Sequence, residues 1–137
     1  MIAFWTYLSI LNYFLSRKAH LNNFFTAFNN VIIMKKVKIT VIRMACYKDL
    51  MAQYENPIEH ACELKEGQVF IANGWQRPDG LCESAWETMS PFVMTLAHGG
   101  ENFYDGWMKN PKSAMISCND GFRPVSFLIE AMDENAD

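Results

Sequence analysis

Alternating apolar and polar residues mark the first regular element of the chain. Between Lys36 and Arg43, every second residue from Val37 to Val41 is apolar, and the residues between them are charged or polar. A period of two is typical of a strand with one buried and one exposed face. A second strand is predicted at residues 68–72, between two turn signals.

Apolar residues spaced by three and four predict helical structure further along. Residues 49–54 are expected to form a short helical turn. The strongest pattern follows a turn at residues 78–80, and inside it Ser90 and Pro91 have the order of an N-cap and a first helical position, which predicts a kink or two consecutive helices. Gly99 and Gly100 are expected to end this segment. The apolar positions are Cys82, Ala85, Trp86, Met89, Val93 and Leu96.

Two more strands are predicted at residues 113–118 and 123–132. The Asp-Gly pair at residues 120–121 favours a tight turn between them. The chain is therefore expected to be an α+β protein, a small mostly antiparallel sheet with one kinked helix or two consecutive helices packed on one face. The tight turn predicts the cross-strand pairs Cys118–Arg123, Ile116–Val125 and Ala114–Phe127.

Composition divides the chain into two unlike parts. All 15 acidic residues, 7 glycines, 5 prolines and 4 cysteines come after Ile33. We therefore predict a leader at residues 1–33 and a single α+β domain at residues 34–137. Since Met34 and the two lysines after it resemble a bacterial start, we interpret the leader as a non-native extension. The alternative is a membrane-surface anchor, with Arg17 and Lys18 near anionic lipid.

Charge argues against one class of function. The 137 residues include 12 basic and 15 acidic side chains, a net charge of −3, and the predicted domain alone carries −5. A nucleic-acid-binding protein needs a basic face to contact phosphates. We therefore expect no nucleic-acid partner.

The four cysteines, Cys46, Cys62, Cys82 and Cys118, do not form any Cys-x-x-Cys pair. Disulfides are not expected in a cytoplasmic protein, and cysteine often serves as a small buried apolar residue. That interpretation suits Cys82 best, because it falls on the apolar helix face. However, Cys62, Cys82 and Cys118 also come from the ends of predicted elements, where three thiols could meet at one rim.

The first functional hypothesis is a soft-metal site for zinc, copper or iron. Its ligands would be Cys62, Cys82 and Cys118, with His60 or Cys46 as the fourth, because thiolate is a soft donor. His60 and Cys62 are two residues apart and would point the same way on an extended segment. The spacing of paired zinc ligands is missing.

The second hypothesis is a thiol-based enzyme or a binder of small anionic ligands. Cys118 would be the reactive thiol, and Arg123 would favour its thiolate form and hold an anionic group. Asp120 or His98 would carry the proton. The simpler alternative is that Arg123 only forms a salt bridge with Asp120.

The third hypothesis is a non-catalytic module that binds a partner, including a second copy of itself. Exposed aromatic side chains favour interfaces, whereas buried ones fill small cores. The sequence leaves both interpretations open. The aromatic residues concerned are Trp75, Trp86, Phe103, Tyr104 and Trp107.

Short motifs follow one another in a fixed order through residues 34–130. They are residues 36–41 (KVKITV), Cys62 with residues 66–70 (EGQVF), residues 78–82 (PDGLC) with Trp86, Gly99-Gly100, Trp107, residues 115–118 (MISC) and residues 120–127 (DGFRPVSF). In these motifs the domain resembles a family of short prokaryotic proteins of unassigned function. The resemblance implies a cytoplasmic domain in which Cys62, Cys82 and Cys118 belong to the family pattern and Cys46 does not. It implies no activity.

Overall fold

The computed structural model describes residues 33–59 and 62–137 of the chain. The predictions for residues 1–32 and for His60 lie outside this part. Within the described residues, no helix is both long and apolar enough to cross a membrane. Residues 33–137 form one compact unit.

The described residues contain four strands, two α-helices and one 3₁₀ turn. This arrangement confirms the predicted α+β class. The elements are β1 (Lys35–Met44), α1 (Lys48–Tyr54), β2 (Val69–Ala72), α2 (Glu83–Ala97), the 3₁₀ turn (Phe103–Asp105), β3 (Ser113–Ser117) and β4 (Val125–Asn135).

The strands form one sheet in the order β2-β1-β4-β3, and all neighbouring strands are antiparallel. The alternation along β1 is borne out, because Val37, Ile39 and Val41 are at most 1% exposed. These residues share the inner face with alternate residues of β4 such as Phe127, and α2 packs against that face. The core therefore lies between the sheet and one face of α2.

Helix α2 runs uninterrupted through Pro91, so of the two predicted alternatives, one kinked helix or two consecutive helices, the structure has a single helix. Pro91 has no N–H to donate to the Glu87 carbonyl. Residues on both sides of it, including Met89 and Val93, are fully buried. Because one apolar face continues through the proline, burial against the sheet outweighs the missing hydrogen bond.

Two glycines end α2, as predicted. Gly99 has φ +81° and its N–H donates to the Leu96 carbonyl at 3.0 Å, while the Gly100 N–H donates to the Thr95 carbonyl at 2.8 Å. This pair of bonds is a Schellman motif, which needs a left-handed residue after the helix.

The β3–β4 connection differs from the predicted tight turn. Ile116 pairs with Phe127 and not with Val125, so the register is shifted by two residues. A tight turn of the predicted type needs a left-handed glycine, but Gly121 is not among the glycines with positive φ. Instead, the Asp120 carboxylate accepts hydrogen bonds from two backbone N–H groups of a longer loop.

This longer loop, residues 119–124, holds α1 in place. The Ala45 N–H donates to the Pro124 carbonyl at 3.0 Å, and the Tyr47 N–H donates to the Phe122 carbonyl at 2.8 Å. The loop is therefore bound to the chain just before α1.

Candidate functional site

A cleft of about 810 Å³ opens between the start of α2, the β3–β4 loop and the segment that leads into β2. Its volume falls within the range of about 300–1,000 Å³ that is usual for small-molecule sites. Polar and charged side chains line it together with apolar ones. The lining residues include Cys62, Glu63, Arg77, Cys82, Cys118, Asp120 and Arg123.

Three thiols from distant segments share this cleft. Cys62 precedes β2, Cys82 comes directly before α2, and Cys118 directly follows β3. They lie there because β2 begins and β3 ends at the same end of the sheet, and the start of α2 lines the same cleft. The structure therefore brings together the three cysteines that the sequence singled out.

The cysteines differ in exposure. Cys62 and Cys82 are exposed, whereas Cys118 is partly buried and packs against the core. The interpretation of Cys82 as a buried apolar residue is therefore wrong, because Cys82 is the N-cap residue, one position before the helix whose face is buried. Cys46 is also exposed, and it contacts Met51 with its Sγ 3.6 Å from the Met51 Sδ. Cys46 is not a lining residue of the cleft.

The Cys118 sulfur takes part in the end of the β3–β4 ladder. The Cys118 N–H donates to the Val125 carbonyl at 3.1 Å, and the Val125 N–H donates to the Cys118 Sγ at 3.3 Å. A ladder pair normally exchanges two N–H···O bonds. Here the thiol replaces a carbonyl as acceptor, which fixes the orientation of its side chain at the cleft wall.

No metal-binding group is found among the residues that the structure describes. No three His, Cys, Asp or Glu side chains of residues 33–59 and 62–137 are grouped so that they could hold a metal ion. Cys62, Cys82 and Cys118 line one cleft but do not form such a group. The proposed fourth ligand His60 lies outside the described residues.

Arg123 lies in the cleft wall, but its partner is Glu55. The two guanidinium nitrogens donate to the two Glu55 carboxylate oxygens at 2.7 and 2.6 Å. The side chains are only 15% and 14% exposed. Hydrogen bonding to Glu55 raises the pKa of Arg123, and the nearby carboxylates of Glu55 and Asp120 add to that effect. Arg123 thus does not face Cys118 across a ladder, because the register is shifted.

Asp120 positions the loop. Its Oδ1 accepts hydrogen bonds from the N–H groups of Phe122 at 2.7 Å and Arg123 at 2.9 Å. A side chain that accepts two backbone bonds is typical of an Asx turn. The predicted simple salt bridge between Arg123 and Asp120 is not formed, since the ion pair of Arg123 is with Glu55.

His98 is far from the cleft. It caps the C-terminal end of α2, where its Nδ1 lies 2.7 Å from the Met94 carbonyl oxygen. Cys82 is at the other end of this 15-residue helix, and an α-helix of that length spans about 22 Å. The structure therefore does not bring His98 to Cys118 as a proton carrier.

Sequence reasoning missed Arg77 and Glu63. Both line the cleft and both are exposed. In the described part of the chain, neither has an ion-pair partner. Arg77 lies in the irregular segment before α2, where no periodic pattern marks a residue. The only available signal was its place directly before the Pro-Asp-Gly turn at residues 78–80.

Comparisons with protein-family models, curated proteins and solved structures found no match to this chain. The resemblance to short prokaryotic proteins therefore stays a prediction.

The aromatic residues divide between core and surface. Trp86 packs against the core, whereas Trp75 is 54% and Trp107 is 81% exposed. Tyr104 lies between Phe92 and Trp107, with ring centroids 5.8 and 5.4 Å away. The closest ring pair of this cluster is Phe92–Phe103, at 5.1 Å.

Proposed function

We propose that the cleft binds a small organic molecule that carries an anionic group, and that its cysteine thiols face the bound molecule. One observation supports this most directly. Three thiols and an arginine without an ion-pair partner among the described residues line a single cleft of ligand size. Ligand sites usually combine an apolar lining with a few polar groups of this kind.

The charges of the cleft favour Arg77 as the group that binds the anion. Glu55 neutralises Arg123 through two hydrogen bonds, and the Asp120 carboxylate accepts hydrogen bonds from two backbone N–H groups. Arg77 therefore has the guanidinium that is free to bind a ligand carboxylate or phosphate in a bidentate manner. Glu63 has the opposite charge and would weaken this attraction.

Cys118 is the thiol with the best-defined position. It is less exposed than Cys62 and Cys82, and its sulfur is held by the Val125 N–H. A fixed thiol in a partly buried wall can contact a bound molecule repeatedly in one geometry. We therefore assign Cys118 as the reactive thiol and Asp120 as a positioning residue for the loop that follows it.

The proposal places the protein in a reducing cytoplasm of a prokaryotic cell. All four cysteines are unpaired, which suits a compartment that keeps thiols reduced. Soft-metal binding is the other function predicted for these thiols. A stoichiometric metal content in protein purified without added zinc would support metal binding instead of the proposed ligand site.

Two alkylating reagents of nearly equal size test the proposal. Iodoacetate is an anion and iodoacetamide is neutral, and each forms a sulfur–carbon bond with loss of iodide. For each of Cys62, Cys82 and Cys118 we compare the rate with iodoacetate to the rate with iodoacetamide. We expect this ratio to be at least about threefold higher than the same ratio for N-acetylcysteine, because a nearby unpaired cation attracts the anion. Site-resolved mass spectrometry measures each rate.

Matched variants identify the charge responsible. Arg77→Gln should remove the preference and Glu63→Gln should increase it, while 0.5 M salt should reduce it by screening. Arg43→Gln removes an exposed positive charge outside the cleft and should leave the ratio unchanged. An equal ratio in the wild type and Arg77→Gln would refute the anion site.

A further inference from the structure

The sheet face opposite α2 exposes large apolar side chains. Val69 is 50%, Ile71 is 41% and Met115 is 44% exposed, and all three alternate with buried residues of the inner face. Exposed apolar groups that form a continuous patch mark interaction sites more often than isolated ones do. We define the outer face by Lys38, Thr40, Val69, Ile71, Met115, Leu128 and Glu130.

The strand register makes this patch continuous. Thr40 pairs with both Val69 and Leu128, and Leu128 pairs with Met115. These residues form one row across all four strands, with an apolar side chain on three of them. Directly opposite residues on a sheet have Cβ atoms about 5 Å apart, which puts the neighbouring side chains of the row within reach of one another.

The next row contains one ion pair. Lys38 and Glu130 lie opposite each other on the two central strands, with the Lys38 Nζ 2.8 Å from the Glu130 carboxylate. Their side chains are 41% and 25% exposed. A surface with both charges side by side near its centre is complementary to its own copy, because a twofold axis brings each charge near the opposite charge of the other copy.

We propose that the outer face is the interface of a homodimer, in which two sheets pack face to face. Strand spacing and rise give the outer face a footprint of roughly 400 Å². That is below the roughly 800 Å² per partner of a standard stable interface. The dimer is therefore weak and concentration-dependent. This inference is independent of the ligand proposed for the cleft.

Sedimentation velocity of the full chain tests the proposal. Over roughly 1 to 300 µM, a range that covers micromolar association, we expect a reversible monomer–dimer equilibrium. Val69→Lys combined with Met115→Lys should raise the dissociation constant at least about tenfold, because lysines on edge strands oppose association. Both positions are exposed edge-strand residues, and circular dichroism checks that the variant folds. Met94→Lys, at a 49% exposed position of α2, is the matched control and should dimerise normally.

Charge reversal provides a second, independent readout. Lys38→Glu should weaken the dimer at least about tenfold through like charges, and adding Glu130→Lys should restore it to within about threefold. The proposal is overturned if the protein stays monomeric at every concentration. It is also overturned if Val69→Lys with Met115→Lys dimerises like the wild type.

Discussion

At the scale of single residues, the partner of a charged side chain decides what that side chain can do. Arg123 was expected to hold an anion beside Cys118, but Glu55 occupies both arms of its guanidinium. The two residues are 68 positions apart in the chain. No local pattern connects them, so the sequence offered no signal for this pairing.

The Glu55–Arg123 pair should stabilise the fold. Since both side chains are mostly buried, Glu55→Gln or Arg123→Met leaves the remaining group poorly paired and should lower the Tm by several degrees. The double variant should lose less than the sum of the two single losses. Thermal unfolding monitored by circular dichroism measures all three, and additive losses would contradict a direct interaction.

The pH dependence of this pair follows from the direction of the shift. Hydrogen bonding to Glu55 raises the pKa of Arg123 in the folded state. While Glu55 is ionised, a raised cation pKa gives stability that is fully present below the unfolded-state pKa of the guanidinium and is lost only as the pH rises through the folded-state pKa. The Tm difference between the wild type and Arg123→Met should therefore be equal at pH 7 and pH 10.

Asp120 should act through its oxygen atoms and not through its charge. Asp120→Ala leaves the Phe122 and Arg123 N–H groups without their acceptor and should cost about 1–2 kcal/mol. Asp120→Asn keeps the accepting oxygen and should stay within about 0.5 kcal/mol of the wild type. Urea unfolding measures both. If both variants lost the same stability, the carboxylate charge would be responsible instead.

At the scale of elements, two glycines distinguish a confirmed prediction from a wrong one. Gly100 belongs to the predicted end of α2, which is confirmed, and Gly121 belongs to the predicted tight turn between β3 and β4, which is not formed. A Cβ at Gly100 would lie 2.4 Å from the Thr95 Cγ2 and 3.0 Å from the Thr95 carbonyl oxygen, whereas a Cβ at Gly121 meets nothing within 4 Å. Gly100→Ala should therefore cost about 1–3 kcal/mol. Gly121→Ala should stay within about 0.5 kcal/mol, because Gly121 has no positive φ to lose.

Chemical denaturation of these two glycine variants decides between the turn geometries. A large cost for Gly121→Ala would restore the tight turn between β3 and β4. A negligible cost for Gly100→Ala would contradict the close approach of Gly100 to Thr95 at the end of α2.

The elements show which structural features the sequence could predict. Burial on one face leaves a period in the sequence, so the strands and α2 were predictable. The hairpin register was not, because Asp120 binds its own loop backbone and no alternation records that bond. The residues of the inner face were still predicted correctly, since a register shift of two residues keeps Ile116 and Phe127 on the same side of the sheet.

At the scale of the whole molecule, the cleft was partly predictable. Cys62, Cys82 and Cys118 stand near the ends of elements, and the connections between antiparallel strands lie together at the two ends of a sheet. Arg77 was not predictable, because it lies in an aperiodic turn. The central claim is thus spatial: three thiols far apart in sequence face one ligand-sized cleft.

The most direct test of that claim is whether these thiols exclude one another. When a bulky maleimide has modified one of Cys62, Cys82 or Cys118, its adduct should fill much of the cleft and slow modification of the other two at least about tenfold by exclusion. Cys46, which is outside the cleft, should react at its original rate. Site-resolved mass spectrometry measures the four rates. Independent modification of all four cysteines would contradict the shared cleft.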